Sequence, residues 1–246
     1  MRRGWIVALG LAIMTQMALA ADLPERNIIK AIFSEPTDRY DHGILGDAIE
    51  FGALELTVNI CVQCAKQDLR IYTIRLPKSR VFEDLSPRLT DLDNDGANEV
   101  VVVETALDKG ASLAVYDALG KVAQTPFLGQ PHRWLAPAGM ADFDGDGIKD
   151  IALVEKPHLT KEMQIWRYKD RKLTMIAHLG GLTNHRIGDA FISGGVRNCG
   201  QGPEIITVDA DWARVMATGF KDGNLTPRVM GAFTGQTDLQ KALDCR

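Results

Sequence analysis

The sequence predicts an all-β chain of four repeated units with four strands each, the pattern of a four-bladed β-propeller. Three observations carry this expectation. Two acidic turns, Asp91-Leu92-Asp93-Asn94-Asp95-Gly96-Ala97-Asn98-Glu99 and Asp142-Phe143-Asp144-Gly145-Asp146-Gly147-Ile148-Lys149-Asp150, run directly into the apolar segments Val100–Val103 and Ile151–Val154. The last acid of the turn recurs as Glu55, Glu99, Asp150 and Glu204, at separations of 44, 51 and 54 residues, which is a blade period. Helical periodicity is weak throughout, and only Thr237–Leu243 reads as a helix.

Taken in order, the chain opens on a leader. Met1-Arg2-Arg3 is basic, Gly4–Met14 is apolar, and Ala18-Leu19-Ala20 is a small-residue cleavage site, so residues 1–20 are expected to be a signal peptide. The apolar run is short for a membrane span, and no other run is long enough for one. A single domain follows over 21–246, with repeats at about 41–84, 85–133, 134–187 and 188–231. The terminal segments 22–40 and 230–246 close the ring, or build a fifth blade if they combine into one sheet. In each repeat an inner strand precedes the acidic turn, a β-branched strand follows it, and two further strands flank a polar turn. The outer pairs expected are Leu69–Ile74 with Arg80–Phe82, Ser112–Tyr116 with Lys121–Thr125, Met163–Tyr168 with Leu173–His178, and Arg214–Phe220 with Leu225–Val229.

The 28 basic residues less Arg2 and Arg3, set against 32 acidic ones, leave a formal charge of −6 after leader removal. Such a balance does not attract nucleic acid or an anionic membrane. Four cysteines in an exported chain read as two disulfides, with three pairings open. Cys61–Cys64 with Cys199–Cys245 is the preferred pairing because the first two are already adjacent in sequence. A redox motif and half a zinc site are the rival readings of Cys61-Val62-Gln63-Cys64.

Carboxylates at alternate positions of a tight turn repel one another unless a cation sits among them, and all-oxygen ligands select a hard ion, Ca²⁺ first. The expected ligands are Asp91, Asp93, Asp95, Glu99 and the Ala97 carbonyl in one loop, and Asp142, Asp144, Asp146, Asp150 and the Ile148 carbonyl in the other. An acidic turn with water or Na⁺ in place of Ca²⁺, held by side-chain-to-backbone bonds, is the alternative. The copies at Asp47–Glu55 and Val196–Glu204 lack ligands at key positions, and in the latter a Cys199–Cys245 bridge is expected to order the loop in place of an ion. The segments Asp91–Val103 and Asp142–Val154 resemble FG-GAP/VCBS repeats, the calcium-loop blades also found in integrin α-chain propellers. The whole chain is similar to exported bacterial proteins known only by such repeats. That resemblance implies a propeller, Ca²⁺ and export, and supplies no activity.

In a four-stranded blade the acidic loops share one face and the blade-to-blade connectors share the other. The connector face collects His42, Arg88, His132, Arg133, Trp134, His185 and Arg186, and the strand ends add Glu104, Glu155, Asp209 and Trp212. These residues could bind an anionic or sugar-like ligand, or could simply be inter-blade ion pairs and packing. Phe191-Ile192-Ser193-Gly194-Gly195 lacks the first glycine of a nucleophile elbow, and no catalytic residue is assigned. The expectation is therefore an exported, calcium-stabilised binding or scaffold module for a protein or glycan. A hydrolase or lyase acting on an extracytoplasmic polysaccharide or phosphoester is the alternative.

Overall fold

A computed structural model describes residues 25–246. The expected signal peptide lies outside the described residues. Among those described there are seventeen strands and one helix, so the chain is nearly all β. The strands are β1 (Asn27–Thr37), β2 (Glu50–Asn59), β3 (Leu69–Arg75), β4 (Arg80–Phe82), β5 (Arg88–Thr90), β6 (Glu99–Ala106), β7 (Gly110–Asp117), β8 (Gly120–Gln124) and β9 (Leu135–Ala141). There follow β10 (Asp150–Glu155), β11 (Glu162–Lys169), β12 (Lys172–Gly180), β13 (Leu182–Thr183), β14 (Gly195–Asn198), β15 (Pro203–Asp209), β16 (Arg214–Lys221), β17 (Asn224–Ala232) and α1 (Gln236–Leu243). No helix among them is long and apolar enough to cross a membrane.

The third repeat is a four-stranded antiparallel sheet ordered β12-β11-β10-β9. The fourth is β15-β16-β17 with both β13 and β14 on the inner side of β15. The first two repeats differ from the expectation of separate blades, because they share one eight-stranded sheet. Arg80–Phe82 was expected to be the outer strand of the first repeat, paired with Leu69–Ile74. Instead β4 pairs with β6 through Arg80–Ala106, Val81–Thr105 and Phe82–Glu104, and touches β2 only at Phe51. Aromatic packing explains the join. Phe82 is fully buried, stacks on Phe33 at 5.3 Å and meets Tyr116 edge-on at 6.1 Å, while Phe33 also stacks on Phe51. A three-residue strand gains more from burying Phe82 at this junction than from two or three ladder bonds on an exposed edge.

The first repeat also lacks the turn expected across Asp47–Glu55. Its strand begins at Glu50, so Glu55 stands mid-strand and not at a strand head. In the other three repeats the register holds: Glu99 and Asp150 open β6 and β10, and Glu204 is the second residue of β15.

The strands after the acidic turns are buried on both faces, which is why they read as unbroken apolar runs. Val100 and Val102 face Leu54, Leu56, Val58 and Phe82, whereas Val101 and Val103 face Trp134, Ile151 and Leu153. Ala152 faces the other way, toward Met163, Ile165 and Ile205. Ile206 and Val208 then pack on Leu239 and Ala242 of α1, which caps the last core. The sheets therefore stack face to face in chain order, each β-branched strand being a wall between two cores. Cys199–Cys245 ties the loop before β15 to the second residue beyond α1, and Cys61–Cys64 closes the turn after β2.

Gly194 has φ of 82°, and a Cβ there would stand 2.0 Å from the Ile206 carbonyl oxygen. Gly194→Ala is expected to destabilise the fold by at least about 2 kcal/mol, since both the left-handed backbone and a core strand would have to give. Urea unfolding of the two proteins, compared at their midpoints, checks this.

Candidate functional site

The two acidic loops sit side by side. Lys149 donates its backbone N–H to the Leu92 carbonyl at 3.0 Å and its ammonium to Thr90 Oγ1 at 3.0 Å. The apolar residue at position two of each loop, Leu92 or Phe143, is buried and plugs the turn into a core. Each loop is held by its first aspartate. Asp91 accepts the N–H groups of Asp95 and Gly96, and Asp142 those of Gly145, Asp146 and Gly147, at 2.7–3.1 Å. Asp95 and Asp146 each accept an N–H two residues on. In both loops the first three aspartates hold a carboxylate oxygen within 4.8 Å of one another, close enough for one ion.

Beyond that shared skeleton the loops differ. In the first, Asp93 Oδ1 is buried without a hydrogen-bond partner. Glu99 is 4% exposed and accepts one backbone N–H, from Leu92 at 2.8 Å. Burial pushes Glu99 up to about 8, against the Leu92 N–H and with help from the negative charges of Asp93, Asp95 and Asp91. Burial likewise raises Asp93, with Asp95 and Asp91 adding to it. In the second loop Arg167 stands among the acids, 2.7 Å from Asp150, 2.8 Å from Asp144 and 2.8 Å from Asp146. Burial raises Asp150, and the Arg167 pairing works in the opposite direction.

A cleft of about 550 Å³ opens beside the first loop. Asp93, Asp95 and Glu99 form one wall, and Asp117, Tyr168 and Arg171 stand across from them. Arg171 pairs with Asp117 at 2.9 Å, and Arg26 and Glu25 complete the rim. Sequence reading missed the far wall. Its residues come from the outer hairpins of two different repeats, and only the stacking of the sheets brings them together.

The connector-face residues divide into groups. His42, His132, Arg133, Trp134 and His158 line one cleft of about 140 Å³, and His185 supports it from behind. His42 Nδ1 lies 2.5 Å from Glu83, which Thr105 also engages at 2.6 Å; His132 Nε2 meets Asp41 at 2.8 Å. Trp134 donates its indole N–H to the Glu83 carbonyl at 2.9 Å and packs edge-on to His185 at 4.8 Å. The other predicted residues stand elsewhere. Arg88 is bidentate to Asp84; Glu104 is fully buried among Arg80, Lys121 and the Tyr116 hydroxyl; and Glu155 pairs with Lys156. Arg186 lies over Trp212 at 4.2 Å, and Asp209 binds Arg214 at 2.7 Å. These are ion pairs and packing within the sheets.

Three groups withdrawn wholly or partly from solvent set a pH dependence. His158 is pushed down to about 4 by burial and by His185, and burial also depresses His185. Between the unfolded value near 6.5 and about pH 4, the unfolded chain takes up protons that the native rings refuse, so stability falls as pH falls through that window. Melting temperature at pH 7.5 and 5.0 reads this, and His158→Phe is expected to narrow the difference. Glu50 has the opposite sign, since burial and then Glu83 push it up to about 9. Its unfolded form ionises from about pH 4.5 while the native form keeps its proton, so stability is lost as pH rises toward 9. Glu50→Gln is expected to raise the melting temperature at pH 8 and leave it nearly unchanged at pH 4.

Residues 91–153 match the family model of the FG-GAP-like repeat, a span that begins at the first acidic loop and ends in the strand after the second. No curated protein matches the chain. On this match the chain carries an FG-GAP-like repeat in a nearly all-β fold.

Proposed function

We propose that the chain is an exported, calcium-stabilised binding module, built as a propeller-like stack of four repeats over 21–246, whose ligand is a protein or a glycan. The carrying observation is the loop Asp91–Glu99, where a buried carboxylate oxygen of Asp93 has no partner and the nearly inaccessible Glu99 has one. Buried anions left this way are costly, and a hard cation is the group that relieves them. Asp91, Asp93, Asp95 and Glu99 would hold it, with the Ala97 carbonyl. The ion would supply two positive charges at the head of β6, locking a turn on which two cores converge.

The 550 Å³ cleft beside this loop is within the size range of small-ligand sites, and an ion on its wall could accept hydroxyl or carboxylate oxygens from a ligand. On the other face the 140 Å³ cleft is too small to bury a sugar ring. The hydrolase reading has one observation in its favour, the Glu83–His42 pair, which has the form of an oriented general base. Ser193, the nearest candidate nucleophile by sequence, is buried and its hydroxyl is engaged by Gln236, so binding is the better reading. Two disulfides support an oxidising compartment. Among the described residues β1 and β17 lie in different sheets, so no strand pairing of the terminal segments 22–40 and 230–246 closes a ring or builds a fifth blade.

At a Ca²⁺ concentration about one hundred times Kd, a native-state ion adds about 2.7 kcal/mol, roughly 5–10 °C in a domain of this size. Asp93→Asn is expected to abolish that rise. A wild-type melting curve unmoved between EDTA and millimolar CaCl₂ would refute the metal reading. A glycan and periplasmic-protein binding screen, with and without EDTA, tests the ligand class.

A further inference from the structure

Although the two loops are alike in sequence, the second leaves an ion nothing to satisfy. Arg167 Nε and Nη2 reach the two oxygens of Asp150 at 2.7 and 2.9 Å, Nη2 also reaches Asp144 Oδ2 at 2.8 Å, and Nη1 reaches Asp146 Oδ2 at 2.8 Å. The remaining oxygens of Asp142, Asp144 and Asp146 accept backbone N–H groups of the turn. All four carboxylates are thus partnered at both oxygens, and Asp150, which is fully buried, has the guanidinium as its only partner.

The placement is a matter of register. Arg167 stands directly opposite Asp150 in the β10–β11 pair, one step beyond Trp166 opposite Ile151. In the second repeat Tyr116 stands opposite Val100, so the corresponding next residue is Asp117, another acid. The fourth repeat resembles the third. Its last acid, Glu204, is paired with Arg197 at 2.8 Å and Arg228 at 2.7 Å. Of the three strand-heading acids, only Glu99 has no arginine on it.

We propose that Arg167 is the resident cation of the loop Asp142–Asp150 and keeps Ca²⁺ out of it, so that the chain takes one ion and not two. The count of one rests on the calcium reading of the first loop; the exclusion at the second does not. A guanidinium is weakly hydrated and meets these carboxylates in a bidentate and bridging geometry, and an ion entering the loop would have to expel it. The third repeat is then held without calcium, and loss of the ion loosens the second repeat alone.

Equilibrium dialysis of the mature chain against ⁴⁵Ca²⁺ gives the test. One ion is expected for the wild type, none for Asp93→Asn, one for Asp144→Asn, and one more than wild type for Arg167→Gln. Two ions in the wild type, loss of the ion in Asp144→Asn, or no gain in Arg167→Gln would each overturn the proposal. A wild type that binds none defeats the calcium reading, and a gain to one in Arg167→Gln would still uphold the role of Arg167. Hydrogen exchange on the wild type needs no variant to fold. EDTA is expected to speed exchange in β6 by about tenfold or more and to leave β10 unchanged, and equal acceleration in both would also count against the proposal.

Discussion

Each repeat from the second to the fourth sets an acid at the head of a strand that is walled by core on both faces. Glu99 and Asp150 are 4% and 0% exposed, and the residues that follow them are buried without a break. A carboxylate there can neither be hydrated nor moved outward without unpicking the strand. Its charge has to be met in place. The chain meets it with arginine at Asp150 and Glu204, and at Glu99 leaves room for something else. The fourth repeat adds a covalent restraint, Cys199–Cys245, in the turn where Val196, Asn198 and Gly200 replace the three loop aspartates, and Arg197 reaches from the adjoining β14 to the Ala242 carbonyl near the end of α1. The last acid, the loop and the C-terminus are thereby one assembly.

The doubly buried strands also decide how the sheets meet. Because Val100 and Val102 need cover on one face while Val101 and Val103 need it on the other, β6 must lie between two neighbours. On one side that neighbour is the third repeat. On the other it is the first repeat, and the Phe33, Phe51 and Phe82 stack draws the two so close that β4 bridges them. The merged eight-stranded sheet follows from packing of side chains rather than from ladder continuity, since a single residue pair joins β4 to β2.

Legibility in the sequence tracked the range of the interactions involved. The acidic turns, the two-faced strands and the outer hairpins of repeats two to four are local patterns, and all appear where expected. The helix spans Gln236–Leu243, one residue longer than its apolar spacing suggests. The first repeat departs from the pattern because Gly52, at the place of Gly96 and Gly147 in the acidic turns, lies within β2, where a Cβ would stand 3.2 Å from the Arg39 guanidinium and 3.3 Å from the Glu35 carbonyl oxygen. Close approach, not a positive φ, accounts for this glycine. Arg167 was invisible for a different reason. It lies seventeen residues beyond Asp150, and only the β10–β11 register places it opposite; a motif confined to nine residues cannot contain that information. The far wall of the large cleft, with Asp117 and Arg171 from different repeats, is non-local in the same way.

The two faces finally differ in kind. On the connector face the Asp189 carbonyl can only accept, so His185 Nε2 is the donor in that 2.9 Å contact. Burial keeps the ring neutral, which leaves its Nδ1 as an acceptor for His158 Nε2 at 3.0 Å. The direction of each bond is set by the one before it, and the Trp134 indole seals the end of the run. Such a cluster is a satisfied polar plug, with its donors and acceptors committed inward. On the opposite face the acids beside the large cleft are not all committed, and Asp93 has a buried oxygen with no bond at all. A surface whose polar groups are already paired gains little by binding, because each new contact replaces an old one. A carboxylate oxygen left unpaired on a cleft wall, as that of Asp93 is, would gain the most from a cation. On the proposed reading, recognition would fall to the acidic face.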